Sequence, residues 1–119
     1  MIKNFIFIIL LLFSFNASST DAVFTCQMKE NASITETGTA LNKLEGFTFR
    51  KTSREVIFGK GGYFSDHLMN IVIEGYDYFE ANNINDKIIY RNGYFVYSSI
   101  GNNENYKDVI GIIAYCNYL

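Results

Sequence analysis

The chain has no proline and no tryptophan, a single histidine, His67, and only two cysteines, Cys26 and Cys116. One imidazole and two thiols are too few for an ordinary zinc site. No C-x-x-C pair occurs, which removes the thioredoxin-like redox reading. The phosphate-loop spacing is also missing. Gly59-Lys60-Gly61-Gly62 lacks the G-x-x-x-x-G-K-[ST] pattern and has no helical periodicity behind it, so it reads as a glycine-permitted loop or bulge. Positive charge is not concentrated. Against 12 Asp and Glu stand 10 Lys and Arg, for a net charge of −2, which gives no footprint for nucleic acid. Asparagine is abundant; with the missing proline and tryptophan this points to AT-rich coding and carries no mechanism.

No apolar run reaches the roughly 20 residues that a spanning helix needs. The longest, Phe5 to Phe13, follows Lys3 and precedes small and polar residues from Ser14 to Ala22. That is the layout of a secretory signal. We expect residues 1–22 to be a signal peptide, cut after Ala22, with a cut after Ser19 as the competing site. Val23-Phe24-Thr25-Cys26 does not supply the cysteine position of a lipoprotein signal. The expected mature domain is residues 23–119, periplasmic or secreted, with no stable membrane span after cleavage. Removing Lys3 and Asp21 leaves 9 basic and 11 acidic residues, so the net charge stays at −2. A domain of this size buries a modest share of its surface and gains from a covalent staple.

Export makes a Cys26–Cys116 disulfide the expected state of the two thiols. Such a bond joins the two ends of the mature chain. It requires Cα atoms about 4.4–6.8 Å apart, so the first and last strands must be neighbours.

Period-2 alternation with β-branched and aromatic residues dominates the pattern. The clearest unit is Lys87 to Ser98 around Asn92-Gly93, the sequence of a two-residue type I′ hairpin. That loop sets Arg91 against Tyr94, Tyr90 against Phe95, Ile89 against Val96 and Ile88 against Tyr97. Ile88, Tyr90, Phe95 and Tyr97 then face inward, because the other face carries Lys87 and Arg91. Phe47 and Phe49, a turn at Lys51 to Arg54, and Val56 and Phe58 predict a second hairpin. Ile71 to Glu74 opens a strand that Gly75 interrupts, and Tyr76 to Ala81 continues past a bulge or as a separate strand. Asn82 to Asp86 and Gly101 to Asn105 are polar turns. Lys29 to Leu44 has the weakest pattern and holds one short strand or a half-turn of helix. The whole predicts an all-β antiparallel meander of about 7–9 short strands, forming a small barrel or a sandwich, with its ends joined by the disulfide.

Candidate chemistry is sparse. Ser65-Asp66-His67 has the residue types of a triad, but adjacent side chains on an extended chain point apart; His67 is a functional candidate by elimination only. The segment Lys43–Lys60 carries Arg50, Lys51 and Arg54 near a hairpin tip, a possible interaction surface for an anionic protein or envelope component. Tyr76, Tyr78, Tyr90, Tyr94, Tyr97, Tyr106, Tyr115 and Tyr118 exceed the needs of a small core, and rings in a barrel mouth suit a small apolar or sugar ligand. Asn31-Ala32-Ser33 fits the N-glycosylation pattern.

Phe24-Thr25-Cys26, Gly62-Tyr63-Phe64, Asn92-Gly93 and Ala114-Tyr115-Cys116 together resemble small secreted β-proteins of AT-rich bacteria, over the whole mature chain. The aromatic-x-Cys start and the terminal cysteine also resemble the bacterial inhibitors of C-type lysozyme, which are small periplasmic barrels. Of that family's Ser-Gly-rich and Lys-Gly inhibitory loops, only Lys60-Gly61 has a counterpart, too short to carry a role, and no inhibitory residue is transferred. The expected function is a non-enzymatic binding or interaction module without a cofactor, its partner a protein or an envelope component. The alternatives are a lysozyme-inhibitor-like protein and a lipocalin-like small-ligand carrier.

Overall fold

The computed structural model describes residues 21–65, 67–101 and 108–119. Most of the expected signal segment, Asp66, Tyr106 and the Gly101–Asn105 turn after Gly101 lie outside the described residues. Among the described residues nine strands follow in chain order: β1 (Ala22–Thr35), β2 (Gly38–Leu41), β3 (Gly46–Lys51), β4 (Glu55–Phe58), β5 (Leu68–Gly75), β6 (Tyr78–Asn82), β7 (Asp86–Arg91), β8 (Tyr94–Ile100) and β9 (Val109–Tyr118). All pairings are antiparallel. Strand β1 pairs with β3 along one edge and β9 along the other, so eight strands close into a barrel and β2 is an extra strand on β1. Of the two architectures expected, the barrel is the one formed.

The β7–β8 hairpin has the register its turn sequence dictates. Arg91 pairs with Tyr94, Tyr90 with Phe95, Ile89 with Val96 and Ile88 with Tyr97. Asn92 and Gly93 take φ values of 49° and 89°, the two positive angles a type I′ turn needs. Ile88, Tyr90, Phe95 and Tyr97 are all buried. The β3–β4 hairpin likewise buries Phe47, Phe49, Val56 and Phe58. Gly75 does not mark a bulge. It ends β5, and Tyr76-Asp77 forms the turn to a separate strand β6; the register shift falls earlier, between Ile71 and Ile73.

The weak Lys29–Leu44 region is not a short isolated element. Strand β1 runs unbroken through it to Thr35 and folds back as β2. A register shift between Met28 and Glu30 explains the poor alternation. Met28 points inward, Lys29 and Glu30 are both exposed, and Asn31 is again buried. One extra residue reverses the phase of everything after it. Asn31 is therefore 2% exposed, with its amide donating to Lys43 O (3.3 Å) and its oxygen accepting from Asn42 Nδ2 (3.2 Å). The sequon at Asn31 is thus placed inside the fold, where a glycan has no room.

Closure comes from β1 and β9, which pair from Phe24–Tyr118 to Ile34–Val109. Cys26 and Cys116 are register partners in this seam and are bonded. The interior is a lattice of rings. Phe24 stacks on Phe49 at 4.6 Å, and Phe79 on Tyr90 at 5.1 Å. Phe64, from the loop between β4 and β5, enters the end of the barrel and touches Phe47, Phe58, Phe95 and Tyr97. Aromatic pairs at these separations add to simple area burial.

Candidate functional site

The basic tip is largely neutralised. Arg50 donates to Asp21 at 2.7 Å, and Lys51 pairs with Glu74 beside the lower mouth of the barrel. Arg54 is exposed on the β3–β4 turn. The turn itself is held by Thr52, whose hydroxyl accepts from the backbone of Arg54 (3.2 Å) and Glu55 (3.0 Å). The three cations thus share one end of the barrel without forming a common open surface.

Among the described residues, His67 takes part in a packing and hydrogen-bonding role at the loop end. Its Nε2 donates to Asp86 Oδ2 at 2.8 Å, joining the end of the Phe64 loop to the start of β7. Its ring packs edge-on against Phe58 and Phe64. Ser65 Oγ accepts from the amide of Gly61 at 3.1 Å and so closes the same loop. These contacts fix the plug in the upper end of the barrel.

The tyrosines separate into three groups. Tyr90 and Tyr97 belong to the core, and burial pushes both phenols well above the ordinary tyrosine range. At the lower mouth, Asp77 accepts hydrogen bonds from Tyr90 (3.0 Å) and Tyr118 (2.8 Å). Burial, and then that bond, raises the Tyr118 phenol as well. The third group, Tyr94 and Tyr115, stands on the outside wall. They are register partners on β8 and β9, their rings nearly perpendicular at 4.8 Å.

The outside wall is more apolar than its strands require. Register places Ile89, Val96 and Ile113 in one row across β7, β8 and β9, next to the row holding Tyr94 and Tyr115. All five are exposed, from 36% at Ile89 to 56% at Tyr94. Lys29 reaches over Tyr115, with its ammonium 5.3 Å from the ring centre, and Arg91 lies over Tyr78 at 4.7 Å. The aliphatic row ends on Glu80 beside Ile89 and on Glu30 beside Ile113, so the strip is apolar at its centre with charges of both signs at its margin. The Lys87-to-Ser98 alternation already put Ile89, Tyr94 and Val96 outward. Their contiguity with Ile113 and Tyr115 depends on the β8–β9 register, which the sequence did not display.

No protein-family model, curated protein or solved structure matches the chain.

Proposed function

We propose that this protein is an exported, non-enzymatic binding module that docks a folded protein through the outer face of β7, β8 and β9. The observation that carries this reading is the pairing of a ring-filled interior with an exposed Ile89, Val96, Ile113, Tyr94 and Tyr115 strip. A carrier needs lined space inside its barrel, and here rings occupy that space. Contiguous apolar surface on the outside of a small domain, centred on tyrosines and ringed by charge, suits a protein interface. The Cys26–Cys116 bond is compatible with an extracytoplasmic setting, periplasmic or secreted.

The test is capture of a partner by native protein and by an Ile113→Lys variant. Ile113 is exposed, so the substitution should change stability by no more than about 0.5 kcal/mol. A partner retained by the native protein and lost by the folded variant supports the reading. Equal retention by both, or none by either, overturns it. A closed barrel with joined ends is also the architecture that the resemblance to C-type lysozyme inhibitors implies, which makes C-type lysozyme the first partner to assay. Unchanged lysozyme activity in the presence of purified protein ends that version.

A further inference from the structure

An open cleft of about 450 Å³ lies on the opposite flank of Tyr115, against the outer face of β3, β1 and β9. Its floor follows from register. Thr25 pairs with Thr48 on one side and Asn117 on the other, giving a row of three uncharged polar side chains. In the next row Gln27 pairs with Gly46 and Tyr115. Neighbouring strands are about 4.8 Å apart, so each row spans about 10 Å, roughly the length of a disaccharide.

The wall is the Gly59–Gly62 loop. Gly59 donates its amide to Thr48 O at 3.0 Å, and a Cβ there would sit 2.5 Å from Thr48 Oγ1. Gly61 has φ +81°, open to glycine at no steric cost. Glycine at these positions brings the loop against β3 and leaves the space above Gly46 unfilled. Among the described residues, Lys60 is the single charged one lining the cleft.

We propose that this cleft binds a neutral oligosaccharide. Carboxamides and hydroxyls both donate and accept, which matches the mixed hydrogen-bonding capacity of sugar hydroxyls. The Tyr115 ring supplies an apolar edge for the carbon face of a pyranose. The volume falls in the range of small-molecule sites, roughly 300–1,000 Å³. With no acidic residue and one cation among the described lining residues, the cleft has neither the repulsion that would reject a sugar acid outright nor the cluster that would select one. This site is separate from the strip proposed for protein docking, apart from Tyr115 on the ridge between them.

The experiment is amide-resolved NMR titration of the native protein with neutral cellohexaose, N-acetylated chitohexaose and a uronic-acid hexasaccharide. The expected result is saturable shifts at Thr25, Gln27, Thr48, Gly61 and Asn117 with one or both of the first two. A Gln27→Ala/Asn117→Ala variant, altered only at exposed positions, should weaken that binding about tenfold or more through loss of two hydrogen-bonding amides. Ile113→Lys should leave it unchanged. No shift in the cleft with any of the three, binding by the uronic acid alone, or equal binding by the double variant overturns the proposal. Those outcomes leave the docking strip untouched, since partner capture is read with Ile113→Lys.

Discussion

Cys26 and Cys116 face each other across the β1–β9 seam with Cα atoms 4.0 Å apart, slightly closer than the expected lower bound of about 4.4 Å, and both side chains are turned into the barrel. The bond therefore lies in the same seam that converts an open meander into a closed barrel. It closes a sequence separation of 90 residues. In the chain-entropy picture a loop of that length contributes about 4.5 kcal/mol by restricting the unfolded chain. Reduction should lower the urea midpoint by an amount equivalent to about 4.5 kcal/mol, while the transition remains cooperative because the β1–β9 ladder persists. An unchanged midpoint after verified reduction would argue against this role.

Phe64 acts as a core residue although it sits in a loop. It is 2% exposed and packs against the rings of Phe47, Phe58, Tyr63, His67, Phe95 and Tyr97. Phe64→Ala should cost about 3–5 kcal/mol, as for a large-to-small change in a packed interior. Tyr76→Ala, at a fully exposed residue, should cost almost nothing. Chemical denaturation of the two variants reads the contrast directly. Similar costs for both would mean the plug is not seated.

The buried phenols predict a one-sided pH dependence. Burial raises Tyr90 and Tyr97 above their ordinary 10.0. A phenol raised in the native state holds its proton longer there than in the unfolded chain. Stability from this source is complete below about pH 10 and is lost as pH rises from there toward the native values, because the unfolded chain ionises first. Tyrosinate absorbance followed beside circular dichroism should show Tyr90 and Tyr97 ionising together with loss of the β signal. A single smooth titration with the fold intact would contradict the burial.

Asp21 and Ala22 join the fold at its lower rim. Ala22 pairs with Lys51 in the β1–β3 ladder, and Asp21 holds Arg50. On the proposed export, a cut after Ser19 would leave both residues in place and the cut after Ala22 would remove them. Intact mass of the exported protein distinguishes the two: a Thr20 start is expected from the pairs these residues make, and a Val23 start would contradict it. The Arg50–Asp21 pair is half-exposed and worth at most about 1 kcal/mol, so its loss alters the local charge more than the stability.

Legibility from sequence followed the range of the interactions. Asn92-Gly93 fixes a register over the neighbouring residues by local backbone geometry, and every pair read from it is present. The cysteines reported a contact across the whole chain because export chemistry makes their pairing the expected state. The bulge at Met28–Glu30 was hidden, since an inserted residue looks like absent alternation until the β9 partner is known. The burial of Asn31 was hidden for the same reason. Lys51 looked free because its partner Glu74 lies on β5, brought near only by barrel closure. The outer strip and the cleft both depend on registers between strands distant in sequence. Their residues were visible; their adjacency was not.

The disulfide-closed barrel is tested most directly by peptide mapping of native protein, alkylated before any reduction. The expected result is one cross-linked peptide pair containing Cys26 and Cys116, with neither thiol alkylated. Recovery of both cysteines as alkylated single peptides would contradict the closed seam and, with it, the arrangement of every surface described on the barrel.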